Sequence, residues 1–183
     1  MQGSLKKYLA TLLGITITTA AMADIGPGQP APEFRLQDQH GEWHTVEQHR
    51  GKWITLYFYP KDDTPGCTKE ACEFRDNIFA YDELGAIILG ISLDDTASHE
   101  AFAEKYSLPF SILADTDKKT AIDYGVYTKI ASFEMARRET FLINPDGIIV
   151  KHYAKVSPAT HSEEVLTDLR ELIADNTSID VEN

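Results

Sequence analysis

The 183-residue chain is short of cysteine, of positive charge and of long hydrophobic runs. Its two cysteines allow one sulfur pair at most. The chain has 17 Lys and Arg residues against 29 Asp and Glu, and its formal net charge is −12. Because an acidic protein repels nucleic acid and anionic lipid surfaces, the sequence argues against both as partners. Repeats, low-complexity tracts and internal linkers are also missing, which predicts a single domain.

The longest apolar stretch lies near the N-terminus, just after the basic residues Lys6 and Lys7. It covers residues 8–20, a length that is too short to span a bilayer comfortably. Residues 21–23 (Ala-Met-Ala) fit a small-x-small cleavage pattern. We therefore predict that residues 1–23 are a signal peptide and that the protein is exported, to the periplasm, with no membrane contact after cleavage. An uncleaved N-terminal anchor is the alternative.

From residue 24 to residue 174 the hydrophobic pattern alternates between strands and helices. The apolar runs at 53–59 and 86–93 have strand length and predict strands that are covered on both faces. The other predicted elements are helices at 67–81, 96–106, 118–124 and 161–174, strands at 110–113, 140–143 and 148–153, and an outer hairpin between residues 34 and 46. This order predicts an α/β fold of the thioredoxin-like type, with a central mixed β-sheet flanked by helices and an extra N-terminal hairpin. Residues 175–183 are predicted to be a short, disordered acidic tail.

The two cysteines, Cys67 and Cys72, follow a buried strand, a polar loop and a Thr-Pro-Gly turn. A thiol in the first turn of a helix faces unpaired backbone N–H groups and the positive end of the helix dipole, which both favour the thiolate. In a continuous helix, residues five apart have Cα atoms roughly 8.7 Å from each other, beyond the usual disulfide range of about 4.4–6.8 Å. Either the segment is not helical, or a bond between the sulfurs forms only when the helix opens. The second option describes a redox-active pair, and a structural disulfide is the alternative for an exported protein.

The motif Pro60-x-x-x-Thr64-x-x-Cys67 resembles the active-site motif of peroxiredoxins. Residues 57–76 are similar to the subfamily called bacterioferritin comigratory protein, or peroxiredoxin Q. The similarity continues through residues 102–106, 112–115, 124–127 and 138–147. The resemblance implies a peroxiredoxin fold of the thioredoxin-like type and a thiol peroxidase without a cofactor. It also implies that hydrogen peroxide and organic hydroperoxides are the substrates and that a thioredoxin-like dithiol protein is the reductant.

The resemblance further assigns a role to individual residues. It implies that Cys67 is the peroxidatic cysteine and that Cys72 is the resolving cysteine, which forms an intramolecular disulfide with it. It implies that Thr64 and Arg138 hold the thiolate and the peroxide oxygens. Simpler alternatives are a turn or N-cap role for Thr64 and a surface position for Arg138, with the adjacent Arg137 as the functional residue.

The local charge makes a fixed cation necessary if Cys67 is to ionise. Four acidic residues lie close in sequence and oppose a thiolate: Asp62, Asp63, Glu70 and Glu73. The rigid guanidinium of Arg138 is therefore favoured over the flexible Lys61 and Lys69. Pro60 has no N–H and is expected to cover the sulfur and limit the access of water, although it could serve only to end the strand.

Three histidines, His40, His44 and His49, lie in the outer hairpin and the loop after it. They lack a cysteine partner and the i,i+4 spacing of a helical site, so we interpret them as solvated surface residues and predict no metal. Because both sulfurs belong to one chain, a monomer is expected. Two other function classes stay open: an exported thiol–disulfide oxidoreductase, although such enzymes use Cys-x-x-Cys, and a redox-inert binding or chaperone domain.

Overall fold

A computed structural model describes residues 25–181, so the predicted signal peptide, residues 1–23, lies outside the described residues. The strands are β1 (Leu36–Asp38), β2 (Trp43–His44), β3 (Trp53–Phe58), β4 (Ala86–Ser92), β5 (Ser111–Ala114), β6 (Tyr127–Ile130), β7 (Phe133–Ala136), β8 (Glu139–Ile143) and β9 (Ile149–Tyr153). The helices are α1 (Pro65–Asp76), α2 (Ile78–Glu83), α3 (Thr96–Tyr106), α4 (Lys119–Asp123) and α5 (His161–Val181), and a 3-10 turn covers Glu47–His49.

Seven strands form one sheet in the order β2-β1-β5-β4-β3-β8-β9. The three central strands β3, β4 and β5 are parallel, whereas β8 and β9 on one side and β1 and β2 on the other are antiparallel to their neighbours. β6 and β7 form a separate two-stranded sheet. The structure therefore confirms the predicted mixed sheet with helices and an N-terminal hairpin at its edge.

Strand β3 lies inside the sheet, and all six of its residues are buried. Successive side chains of a strand point to opposite faces. Trp53 and Tyr57 enter the core formed with α1, α3 and α5, whereas Ile54, Leu56 and Phe58 enter the core formed with α4 and the N-terminal segment. The prediction of a strand covered on both faces is confirmed.

The pairing of β3 with β8 brings residues that are distant in sequence to the carboxyl end of β3. The two strands are antiparallel, and Phe58 at the end of β3 lies opposite Glu139 at the start of β8. Arg138 directly precedes Glu139, so it lies beyond the carboxyl end of β3. The chain leaves β3 at this same end and continues through Pro60 to α1. The register of the sheet therefore brings Arg138 towards the start of α1.

The helix predicted at 67–81 is divided into α1 and α2 at Asn77, so the prediction of one continuous helix is wrong. The Asn77 side-chain amide donates to the carbonyl of Glu73 at 3.1 Å and to Ser162 Oγ of α5 at 3.2 Å. Asparagine readily satisfies backbone groups in this way, as an alternative to continuing a helix. The first helix also starts earlier than predicted, at Pro65.

Two further differences concern the second half of the chain. Helix α5 runs to Val181. The prediction of a disordered tail from residue 175 is therefore wrong for residues 175–181. The hairpin of β6 and β7 has no counterpart among the predicted elements. Among the helices of residues 25–181, none is both long and apolar enough to span a membrane.

Candidate active site

Helix α1 begins directly after the loop that leaves β3. Thr64 occupies the N-cap with extended backbone angles (φ −93°, ψ 148°), and Pro65 fills the first helical position. The helical ladder starts where Thr68 N–H donates to the Thr64 carbonyl at 2.8 Å. The amides of Gly66 and Cys67 precede this bond and lie at the positive end of the helix. Cys67 is thus in the first turn, as the sequence predicts.

The sulfur of Cys67 lies beside a guanidinium. Arg138 Nη2 is 3.1 Å from Sγ, and Cys67 is only 2% exposed. A side chain at position 66 would crowd this contact, because a β-carbon built on Gly66 lies 3.2 Å from Arg138 Nη2. Glycine therefore lets the guanidinium approach the first turn of α1. The helix end and the guanidinium both favour a negatively charged sulfur.

Glu70 shares the same guanidinium. It follows Cys67 by three residues, on the same face of α1, and its Oε2 forms an ion pair with Arg138 Nη1. The carboxyl is buried, and no donor within residues 25–181 reaches its other oxygen, Oε1. Burial raises the pKa of Glu70 to about 7, against the opposing attraction of Arg138. Both forms of the carboxyl are therefore populated near neutral pH. When Glu70 is protonated it carries no charge, so the positive charge of Arg138 is then balanced by Cys67 alone of the two partners.

Arg137, the alternative to Arg138, makes other contacts. It donates to Glu139 at 2.6 Å and to the carbonyl of Gly125 at 2.6 Å. The two lysines weighed as cations pair with acidic neighbours, Lys61 with Asp94 and Lys69 with Glu73. Of the four basic side chains considered, the structure brings Arg138 to the sulfur.

Thr64 and Pro60 lie in the loop before α1. The Thr64 hydroxyl donates to the carbonyl of Lys61 at 3.0 Å, so in this structure it closes the turn that precedes the helix. Pro60 is half-buried, two residues after the end of β3. The roles predicted for these two residues at the sulfur stay predictions.

Cys72 lies on α1, about one and a half turns after Cys67. Both thiols are free, and Cys72 is half-buried. Because α1 is continuous from Pro65 to Asp76, ideal helix geometry separates the two Cα atoms by about 8.7 Å, too far for a disulfide. The two sulfurs can therefore bond only if the first part of α1 opens.

Helix α3 anchors the loop that leads to Cys67. The buried carboxylate of Asp62 accepts a hydrogen bond from Tyr59 at 2.6 Å and lies 2.8 Å from His99 Nδ1 of α3. The next residue, Asp63, has a left-handed backbone (φ 53°) and binds Lys105 of α3 at 2.6 Å. Two carboxylates that were expected to oppose the thiolate are thus held by α3.

Two features of the site were missed by sequence reasoning. Glu70 was interpreted only as a repelling charge, although its i,i+3 spacing from Cys67 was a signal that both face the same cation. The contact of His99 with Asp62 had no local signal, because 37 residues separate the two.

Sequence comparison places these features among known proteins. The profile of the AhpC/TSA family matches residues 27–152. Peroxiredoxin Bcp of Bacillus subtilis (strain 168) is 42% identical to this chain over 149 residues, which cover 79% of this chain and 95% of that protein. Chloroplastic peroxiredoxin Q of Arabidopsis thaliana is 38% identical over 164 residues, which cover 89% of this chain and 76% of that protein.

Solved structures give the same result for the fold. Peroxidoxin BcpB from Mycobacterium tuberculosis superimposes with a TM-score of 0.75 at 31% identity, over 80% of this chain and 97% of that one. The bacterioferritin comigratory protein of Xanthomonas campestris, studied for its alkyl peroxide reduction activity, superimposes with a TM-score of 0.71 at 34% identity. That match covers 75% of this chain and 90% of the other.

Proposed function

Because this chain belongs to the AhpC/TSA family, as a peroxiredoxin of the Bcp and Q type, we propose that its thiol peroxidase reaction takes place at Cys67. The observation that supports this assignment most directly is the 3.1 Å approach of Arg138 Nη2 to Sγ in the first turn of α1. A thiolate stabilised in this way is a strong nucleophile. The proposed substrates are hydrogen peroxide and organic hydroperoxides, in keeping with the alkyl peroxide reduction of the Xanthomonas relative.

In the first proposed step, the Cys67 thiolate attacks one oxygen of ROOH. An S–O bond forms while the O–O bond breaks, so the sulfur becomes sulfenic acid and the departing oxygen takes up a proton to leave as ROH or water. Arg138 and the first-turn amides donate hydrogen bonds towards the developing negative charge. Thr64 is proposed as a further donor, after its hydroxyl turns from Lys61, and Pro60 as a cover that limits water.

The second proposed step regenerates the peroxidase through Cys72. The Cys72 thiolate attacks the sulfenic sulfur, so an S–S bond forms and the oxygen leaves as water after protonation. This disulfide protects Cys67 from further oxidation. An external dithiol protein of the thioredoxin type then reduces the disulfide by exchange and becomes a disulfide itself.

Consumption of peroxide by the purified protein tests the proposal. With excess dithiothreitol and a hydroperoxide, we expect one dithiol to be oxidised for each peroxide that disappears. A thiol–disulfide oxidoreductase would instead reduce protein disulfides and leave the peroxide intact, and a redox-inert domain would do neither. Either of those two outcomes contradicts the proposal.

Export and the monomeric state are proposed on sequence grounds. The basic Lys6 and Lys7, the apolar run and the cleavage pattern support an exported chain, whose reductant would be an exported dithiol protein. Mass spectrometry of the protein from its native host should show an N-terminus near Asp24, and an intact Met1 in a soluble cytoplasmic fraction would refute export. A mass above that of one chain in light scattering would refute the monomer.

Formation of the proposed disulfide is expected to unwind the first half of α1. The two sulfurs are too far apart in the helix, so the segment from Gly66 to Cys72 should lose protection in hydrogen exchange when the protein is oxidised. The opening should stop before Asn77, because that residue bonds to Ser162 and because the nearby Phe74 is fully buried. We therefore expect α2 and the central strands to keep their protection.

A matched control separates the disulfide from the oxidation itself. Cys72→Ser treated with one equivalent of peroxide carries the sulfenic acid but has no partner sulfur, so its α1 should stay protected. Unchanged exchange in a protein with a verified Cys67–Cys72 bond would contradict the expected opening.

A further inference from the structure

Two imidazoles meet at the edge of the sheet far from Cys67. His44 lies on β2, the outermost strand, four positions from β3 in the sheet. His44 Nδ1 is 3.2 Å from Nε2 of His49, which belongs to the 3-10 turn. Two ligand atoms that each lie about 2.0–2.1 Å from one tetrahedral ion are separated by about 3.3 Å. The spacing of these two nitrogens is therefore close to that of a chelating pair.

The other nitrogen of His44 is fixed by a buried carboxylate. His44 Nε2 lies 3.1 Å from Asp38 Oδ2, and Asp38 also accepts bonds from the amides of His40 and Glu42 and from the Ser111 hydroxyl. A carboxylate with four donors around it has little capacity left for an ion. It instead holds the proton of His44 on Nε2, as outer carboxylates do for metal-binding histidines. The lone pair of Nδ1 then accepts a hydrogen bond from His49 Nε2–H, and an ion would replace this bond once the His49 proton moves to the other ring nitrogen.

A cavity adjoins the same pair. His44 and His49 line a cavity of about 190 Å³, and the exposed Asp82 of α2 lines it as well. His49 is only half-buried, so its ring has room to turn towards this cavity. Water in this cavity would complete four-coordination around an ion that two imidazoles hold.

We propose that His44 Nδ1 and His49 Nε2 bind a divalent transition-metal ion of the zinc class, with Asp38 as the orienting carboxylate and water in the remaining positions. The interpretation as a solvated surface residue is wrong for His44, whose side chain is buried and contacts Asp38. His40 is exposed, as that interpretation expected, and His49 is half-buried. The ion would join the hairpin strand β2 to the 3-10 turn. Its effect is therefore on the stability of this edge, separate from the peroxidase reaction.

Zinc titration of the full chain tests the site. The Cys67→Ser/Cys72→Ser variant removes the sulfurs as competing ligands, and calorimetry should show one Zn²⁺ per chain and a rise of several degrees in the melting temperature at saturating metal. Replacing His49 by Gln should weaken binding by about 10–100-fold, and Asp38→Asn by about 10-fold. His40→Gln is the matched control, because only its backbone amide contacts Asp38, and it should bind zinc normally.

Cobalt gives a second readout that does not depend on heat stability. Co²⁺ bound by His44 and His49 should show the intense visible absorption of a tetrahedral site, and His49→Gln should lose it while far-ultraviolet circular dichroism shows an intact fold. Absence of binding, or equal loss in His40→Gln and His49→Gln, would overturn the proposal. So would binding that survives His49→Gln but disappears in Glu42→Gln, because the ion would then sit on Asp38, Glu42 and His44 Nε2.

Discussion

Replacing Cys67 with serine is expected to reduce peroxide consumption to the uncatalysed background, whereas Cys72→Ser is expected to keep one turnover per chain. Serine at position 67 has no thiolate to attack the O–O bond, although the contact from Arg138 remains possible. Cys72→Ser retains the attacking sulfur and stops at the sulfenic acid. Peroxide loss measured without reductant, together with dimedone labelling located by mass spectrometry, distinguishes the two.

The labelling pattern decides whether the two sulfurs have different tasks. Dimedone should label position 67 in oxidised Cys72→Ser, and the unmodified protein should label poorly because its disulfide forms first. If the two serine variants consume the same amount of peroxide, the proposed division between Cys67 and Cys72 is wrong.

Arg138→Met is expected to lower kcat/KM for peroxide by about 10²–10³-fold, the usual cost of removing one donor to a developing negative charge. Methionine keeps the length of the side chain but removes the group that lies 3.1 Å from the sulfur. Arg137→Met is the matched control, since Arg137 donates to Glu139 and to the Gly125 carbonyl, and its kcat/KM should change by less than about threefold. Equal losses in the two variants would mean that the cation is assigned to the wrong residue.

Loss of Arg138 also removes the partner of Glu70, so a second variant is needed. Burial raises the pKa of Glu70 to about 7 and Arg138 opposes that rise, so without the guanidinium the pKa moves higher and the carboxyl is neutral at pH 7. Arg138→Met/Glu70→Gln should therefore be as slow as Arg138→Met alone. Recovery to near the original rate in the double variant would show instead that Arg138 serves only to neutralise Glu70.

The regular core of the fold could be predicted because its signals are local. The apolar run of β3 has strand length. Helix α3 starts at Thr96 directly after Asp95, an N-cap residue type whose side chain accepts a bond from the Ser98 amide. The β6–β7 hairpin lacks such signals. Its turn has no glycine, asparagine or aspartate, and Ala131 takes the left-handed backbone (φ 55°) that those residues usually supply.

The same distinction holds for the candidate site, where the local features could be predicted and the long-range contacts could not. The strand, the Thr-Pro-Gly turn and the helix that follows are neighbours in sequence, so the placement of Cys67 in the first turn could be predicted. The contact from Arg138 depends on the register between β3 and β8, which no local pattern specifies, and its expectation came from the family resemblance. The pair of Glu70 with Arg138 and the contact between His44 and His49 depend on side-chain packing, which the one-dimensional pattern does not contain.

The presence of both sulfurs on helix α1 has a kinetic consequence. In the proposed cycle, disulfide formation is a unimolecular reaction, so its rate does not change when the protein is diluted. The competing oxidation of the sulfenic acid to sulfinic acid is bimolecular and accelerates with peroxide. The ratio of the two rate constants therefore defines a threshold concentration of peroxide above which irreversible inactivation overtakes turnover. A chain that resolves its own sulfenic acid keeps the same threshold at any protein concentration. In an enzyme whose resolving thiol comes from a second subunit or a separate molecule, the threshold would fall when dilution separates the two.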